Sequence, residues 1–445
     1  MASAIEVPAK GRAPADRPSF VKARGDMPDA LRMALGGACI LAFWNHAPLA
    51  DLSDKSILET STAGSWQTQV IFLVLGFAMA AALRQLGIEK LRPLLTWPLM
   101  TLSGWMGLTL LTSVDPLLSI RRILLFVIVT MIAAGIPVVM RTVRQFALTL
   151  AVTAMIIIVA SYLAVVFLPQ LAIHSADFDL LNEPEHEGLW RGIFAHKNEA
   201  GGAMALMILT GLFVASALSR VWGITIVLLA AVFLAATNSK SVTALLPFIV
   251  LAPSLCSFVR NRWLRAAILI GPTTAVSLFS LGSVFLPSIR DGLAGILPDT
   301  SFTGRTEIWE FAASHILERP LFGWGFGAFW GTERTKFGTS DPFNWVTKTS
   351  QAHNTYLDAC LLIGVPGLLM VLAAFVVAPL RDLQRIAPAG RIDPMTLYFV
   401  RLWLLALTGG SFESVLFTPS SSICCMFMLA IFGLRYRASY RTVPG

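Results

Sequence analysis

Three stretches of this chain combine cations, imidazoles and amides with glycine, the mixture needed to hold an anionic leaving group and move a proton. In the last, His353-Asn354 is followed by nine residues and then Gly364-Val365-Pro366-Gly367, placing an imidazole where a polar segment meets an apolar one. Unpaired polar groups at a membrane edge are costly, so this placement suggests chemistry at a water–lipid boundary. Neutral imidazole accepts a proton near pH 7. His353 is therefore a candidate base, or the group that orients an incoming hydroxyl, with Asn354 beside it as a hydrogen-bonding partner. The plain alternative for His353 is a helix cap.

The first stretch is Trp190-Arg191-Gly192-Ile193-Phe194-Ala195-His196-Lys197-Asn198-Glu199-Ala200-Gly201-Gly202. Small residues open an apolar run there, which puts His196, Lys197 and Asn198 on the first turn of a helix. Free backbone N–H groups and the positive dipole end would meet a cation at that turn, a setting suited to phosphate. The alternative is that His196 and Asn198 only cap the helix. The middle stretch is Phe302-Thr303-Gly304-Arg305-Thr306-Glu307-Ile308-Trp309. A helix is expected over 304–318, with Ile308, Trp309, Ala312 and Ile316 on one apolar stripe lying along the membrane surface, and it ends at Arg319-Pro320. Gly323-Trp324-Gly325-Phe326-Gly327 follows, where glycines allow tight turns or close approach of a ligand. Arg121 and Arg122 are further cations at a span edge, and Glu413 is a carboxylate near the end of another span, where such groups are paired or functional.

The elements that must position these groups are set by composition. With 56% hydrophobic and 13% charged residues among 445, the chain is far more apolar than a soluble domain, and its mean hydropathy is +0.70. Twelve apolar runs are expected to span: 30–49, 66–84, 92–112, 119–140, 145–169, 200–219, 221–237, 241–259, 265–287, 355–379, 396–412 and 419–435. The expected fold is thus an all-α polytopic membrane protein with about twelve transmembrane helices. Residues 1–28 form a polar, proline-rich cytoplasmic tail expected to be disordered, 29–435 one membrane domain, and 436–445 a C-terminal cytoplasmic tail. Alternate connections are basic, including Arg84, Lys90 and Arg92; Arg141 and Arg144; Arg260, Arg262 and Arg265; and Arg381, Arg385 and Arg391. Acids gather in the others, at Asp51, Asp54 and Glu59 and again at Asp177, Asp179, Glu183, Glu185 and Glu187. By the positive-inside rule both termini are cytoplasmic, and 170–199 and 288–354 face outward, the latter as a large periplasmic loop carrying short helices and the site. Against that rule Arg191, Lys197 and Arg305 stand on the outer side within unusual local patterns. Arg334, Lys336 and Lys348 are read there as snorkelling or paired cations. The formal charge of +8 sits where this rule wants it, so no nucleic acid is implied. All five cysteines fall within spans, and no metal-ligand spacing occurs.

The three motifs, in this order, resemble the bacterial O-antigen ligases and the polysaccharide polymerases related to them. The resemblance rests on Phe194-Ala195-His196-Lys197-Asn198, on Thr303-Gly304-Arg305 with Ile308-Trp309 and Gly323-Trp324-Gly325, and on His353-Asn354 with its spaced Gly364-Val365-Pro366-Gly367. Ser113-Val114-Asp115-Pro116 ahead of Arg121 and Arg122 is also similar to that family's N-terminal half. The resemblance implies a metal-independent, inverting glycosyltransferase of the bacterial inner membrane that needs no cofactor. Its donor would be a glycan on undecaprenyl diphosphate, its acceptor a second glycan, its surroundings the lipid bilayer, and a chain-length-regulating copolymerase its protein partner. The His-Lys-Asn form of the first motif is closer to exopolysaccharide polymerases than to lipid A-core ligases. A leaving diphosphate needs cations and a base rather than an enzymic nucleophile. Arg191, Lys197 and Arg305 would form the clamp, His196, Asn198, Asn354, Arg121, Arg122 and Glu413 further contacts, and His353 the base. The rival within the family is an O-antigen ligase, with a protein O-glycosyltransferase third. Outside it stands a transporter or flippase, which would require broken or charged helices near the midplane in two related halves.

Overall fold

The computed structural model describes residues 27–45, 66–175, 186–295, 302, 305–330, 349, 351–388, 390–419 and 421–440. Outside them lie Thr303, Gly304, the acids at 51–59, Asp177, Asp179, Glu183, Glu185, Arg334, Lys336, Lys348 and residues 1–26 and 441–445 of the expected tails. Among the described residues the regular elements are helices, and the only extended pairing is the isolated bridge Ile173–Trp190.

The helices are α1 (Asp29–Trp44), α2 (Trp66–Leu86), α3 (Trp97–Leu108), α4 (Pro116–Val139), α5 (Val143–Phe167), α6 (Lys197–Ala217), α7 (Arg220–Thr237) and α8 (Lys240–Cys256). They continue as α9 (Arg262–Phe285), α10 (Pro287–Ala294), α11 (Arg305–Glu318), α12 (Thr355–Leu372), α13 (Ala378–Ile386), α14 (Pro394–Gly409) and α15 (Ser422–Ser439). A helix stands over each of the twelve apolar runs. Eight described helices are long and apolar enough to cross a membrane, or nine if the pair Ile88–Leu94 and Trp97–Thr112, bent by 90°, is one span. Helices α1, α8 and α14 have only 16, 17 and 16 residues. At 1.5 Å per residue each reaches about 24–26 Å, short of a hydrocarbon core of roughly 30 Å. Length and composition alone therefore establish eight spans rather than the expected twelve.

Helix α6 is apolar around its whole circumference, and 78% of its most hydrophobic window is buried against 28% for α2 and α9, which makes it central and them peripheral. It packs on α5, α7 and α14, while α14 and α15 pair beside it. At one end of the bundle Arg32 reaches the Val139 carbonyl, Arg265 the Ala387 carbonyl, Arg435 the Asp382 carboxylate and Arg437 the Asp393 carboxylate. The starts of α4, α6 and α12 and the end of α14 lie at the other end.

One break in a long helix shapes that second end. Thr355–Ile386 forms a 32-residue span, through a π-turn at Ala373–Val377, but Gly364 inside it sits at φ 73°, ψ 175°. Pro366 has no N–H for the Leu362 carbonyl, so carbonyls before the break are left without helical donors. The glycine-rich segment takes them: Trp324 N–H donates to Leu361 (2.7 Å) and Gly325 N–H to Leu362 (3.1 Å). Trp105 Nε1–H donates to Ile363 at 2.8 Å, and Val365 N–H to Pro320 at 2.8 Å. Gly323 and Gly325 take φ 68° and 105°, and a Cβ on Gly323 would meet the Leu361 carbonyl oxygen at 2.5 Å. Gly323 thus permits close approach of the α12 backbone, while a Cβ on Gly325 would meet the Ser113 side chain.

Helix α11 matches its expected bounds within a residue, but its apolar stripe does not lie on a membrane surface. Ile308, Trp309 and Ala312 are fully buried inside the protein, packed towards α12, whereas Leu317 and Leu321 are the exposed apolar residues. The stripe had protein available to bury against, which a sequence cannot show.

Replacing Gly364 by alanine would force a Cβ to within 2.1 Å of the Leu321 carbonyl oxygen at a positive φ. That substitution should cost about 1–3 kcal/mol. Gly104, in a helix with nothing within 4 Å of its would-be Cβ, should tolerate alanine without loss. Melting midpoints of the detergent-purified variants check both.

Candidate functional site

The site is built where the first turn of α12 meets the chain leaving α14. Asn354 caps α12: its Oδ1 accepts from the Tyr356 and Leu357 N–H groups at 3.0 and 3.1 Å. Its Nδ2 donates to the Ser411 carbonyl at 3.0 Å, and the residue is fully buried. Thr355 N–H donates to Gly410, and Thr355 Oγ1–H to the Glu413 carbonyl at 3.0 Å while accepting from Val415 N–H at 2.9 Å. The loop carrying Glu413 is thereby fixed to the residues that follow His353. Asn354, expected to contact sugar or phosphate, is instead a buried cap that joins two elements.

Glu413 stands between the two leading candidates. Its Oε1 accepts from Arg305 Nη2 at 2.8 Å and its Oε2 pairs with His353 Nδ1 at 2.9 Å, with Gln351 Nε2 at 3.4 Å from the same oxygen. Side-chain exposure is 14% for Arg305, 25% for His353 and 27% for Glu413, so the cluster is shielded yet reachable. Burial pushes the Glu413 carboxyl up, but the hydrogen bond and charge of His353, then Arg305 and His196, hold it below the usual carboxylate range. With Nδ1–H directed at this carboxylate, a neutral His353 keeps its Nε2 lone pair for an incoming proton. Arg305 uses one guanidinium nitrogen on Glu413, leaving the others for an anion.

The first motif comes near this cluster but differs from expectation. His196 caps α6, its Nδ1 accepting from Asn198 N–H at 3.1 Å, and His174 Nε2 accepts from Lys197 N–H at 3.1 Å. Glu199 Oε2 accepts from Ala195 N–H at 3.3 Å. The helix terminus therefore does not offer all its first N–H groups to a ligand, because imidazoles already occupy two of them. Asn198 contributes its backbone to that cap. The rings of His174, His186 and His196 lie 5.2–5.7 Å apart. Arg191 is 1% exposed and donates to the Ala195 carbonyl at 3.3 Å, bracing the loop from inside, while Lys197 is half-exposed.

Arg122 donates to the Gly327 carbonyl and lines a cavity of about 60 Å³ together with Trp330, Gln351, Asp358 and Ser414. Arg121 is exposed on α4, carries no polar partner among the described residues and does not join the cluster. Gln351 and Asp358 were not among the sequence candidates. The signal for Asp358 was present, since a carboxylate one turn inside an apolar span is itself unusual.

The assembled group is one end of a helical membrane bundle where an Arg, a Glu and a His meet across the family motifs. Residues 224–372, which include Arg305, His353 and the broken helix, match the family model described as Wzy_C, O-antigen ligase. That match supports a relationship to the O-antigen ligases and the polysaccharide polymerases related to them. It is also 26% identical over 268 residues to the "Exopolysaccharide production protein ExoQ" of Rhizobium meliloti (strain 1021), covering 58% of this chain and 52% of that protein. The chain thus spans about half the length of that relative. Glu413 and the His196 motif lie outside the matched segment, and the fold brings Glu413 into contact with Arg305 and His353 from within it.

Because the Glu413 carboxyl is depressed, its stabilising contribution is present above the ordinary carboxylate range and is lost as pH falls through the lowered value. The melting difference between wild type and Glu413→Gln should be present at about pH 5 and shrink as pH falls below about 4. Thermal scans of both proteins across that range read it directly.

Proposed function

We propose that this chain is a glycosyltransferase that polymerises undecaprenyl-diphosphate-linked oligosaccharide repeat units into exopolysaccharide or O-antigen. The observation that carries the proposal is the Arg305–Glu413–His353 array, at 2.8 and 2.9 Å, with the far imidazole nitrogen and the remaining guanidinium donors directed to no other described group. The acceptor hydroxyl oxygen attacks the anomeric carbon, its proton passes to His353 Nε2, and the bond from that carbon to the diphosphate oxygen breaks. Glu413 stabilises the resulting imidazolium. Arg305 takes the charge that develops on the leaving diphosphate, with Lys197 and buried Arg191 adding to the field. A single displacement inverts the anomeric configuration, and these side-chain cations make the reading metal-independent.

The face and compartment follow from charge. Basic connections lie at the end of the bundle opposite the cluster, which supports cytoplasmic termini and a periplasmic site in the inner membrane. A chain-length-regulating copolymerase is the expected protein partner. The polymerase reading is preferred because the relative is named for exopolysaccharide production. The second reading, a ligase passing finished glycan to lipid A-core, is favoured by the description of the matched family.

Deleting the gene and profiling lipid-linked glycans separates them: accumulated single repeat units support polymerisation, and accumulated long chains support ligation. His353→Ala should abolish polymer while leaving the protein in the membrane. Normal polymer from that variant would defeat the proposed base. Arg305→Lys should reduce product about tenfold or more, since a point charge cannot replace a fork that serves both carboxylate and phosphate.

A further inference from the structure

His353 has a backbone problem of its own. Its φ is 49°, left-handed for a residue with a Cβ, a strained conformation that persists only where its surroundings impose it. The residue just before it shows what imposes it. The Ala352 N–H donates to both carboxylate oxygens of Asp358 at 3.3 Å, and the Ala352 carbonyl accepts from Trp309 Nε1–H at 3.0 Å. Asp358 is in turn held by Trp330 Nε1–H at 2.7 Å. Ala352 and Trp309 are fully buried, and Asp358 and Trp330 are 4% and 5% exposed.

We infer that Asp358 and Trp309 are positioning residues that hold Ala352 by its N–H and its carbonyl, the two peptide groups that precede His353, and so keep His353 in the left-handed conformation its pairing with Glu413 requires. The inference rests on the proposed role of His353 but assigns functions to residues outside the motif itself. Two features favour it over simple core packing. Trp309 lies one turn beyond Arg305 on α11, so a single indole ties the helix carrying the cation to the peptide preceding the imidazole. Asp358 lies one turn beyond the Asn354 cap, its N–H donating to the Asn354 carbonyl at 3.0 Å. The backbone of His353 is therefore fixed on both sides, by the held Ala352 before it and the capped turn after it. Only a carboxylate can accept from the Ala352 and Trp330 N–H groups at once without turning a donor towards either.

The test uses full-length protein in proteoliposomes, with lipid-linked glycan purified from the deletion strain as the probe. Asp358→Asn sets an amide donor against an N–H, and Trp309→Phe removes the indole donor while keeping an aromatic ring in place. Each should lower kcat about tenfold or more while KM for the lipid-linked glycan stays within about twofold and the melting midpoint stays near wild type. Wild-type kcat in both Asp358→Asn and Trp309→Phe, with His353→Ala inactive, would overturn the grip and leave the base in place. A parallel fall of kcat, apparent affinity and melting midpoint in both variants would also overturn it, since that is the signature of a general structural role. Full activity in His353→Ala would instead remove the base, and the grip with it.

Discussion

A carboxylate withdrawn from water must find positive partners, and at Glu413 that requirement organises one end of the molecule. Arg305 comes from α11, His353 from the start of α12, and Glu413 itself from the turn after α14. Three elements far apart in sequence converge because each supplies what the others lack: a fixed cation, a titratable donor and an anion. A pair lacking one partner would leave a buried charge exposed to the full cost of desolvation. The same satisfaction of charge orients the imidazole, since the bond to Nδ1 fixes which nitrogen faces Glu413.

That convergence depends in turn on a defect in a helix. An unbroken α12 would keep its carbonyls for itself. With Gly364 out of helical geometry and Pro366 unable to donate, the carbonyls of Leu361, Leu362 and Ile363 bind Trp324, Gly325 and the Trp105 indole instead. This interlock seats the segment 323–330 against the span. It brings Trp330 to Asp358, and Asp358 to the peptide before His353. The spacing from His353-Asn354 to the Gly364–Gly367 pair is therefore a structural ruler. It sets how far below the imidazole the helix opens to receive the loop that braces it.

The division of charge between the two ends follows a different logic. At the end away from the candidate site, Arg265, Arg435 and Arg437 bind the Ala387 carbonyl, Asp382 and Asp393, contacts that close connections between helices. At the other end Arg305 pairs, among the described residues, with one oxygen of Glu413, and Lys197 is half-exposed. A helix cap made of histidine contributes to that balance. His196 satisfies the Asn198 N–H and at the same time favours the charge on Glu413, linking the first motif to the cluster without direct contact.

Much of this was legible in the chain. The apolar runs located the helices, because a span must be continuous and hydrophobic to satisfy its backbone in lipid. Arg305, His353 and Glu413 were identifiable individually, as polar groups where polar groups are expensive. What a linear reading assigned wrongly were side chains with two competing uses. Asn354 was expected to bind ligand but caps α12, and the stripe at Ile308, Trp309 and Ala312 was expected to meet lipid but meets protein. Local sequence determines which groups are present and which must be buried or paired. Only the packed tertiary structure decides with whom, because hydrogen bonds and ion pairs are fixed by distances of about 3 Å between residues brought together from anywhere along the chain.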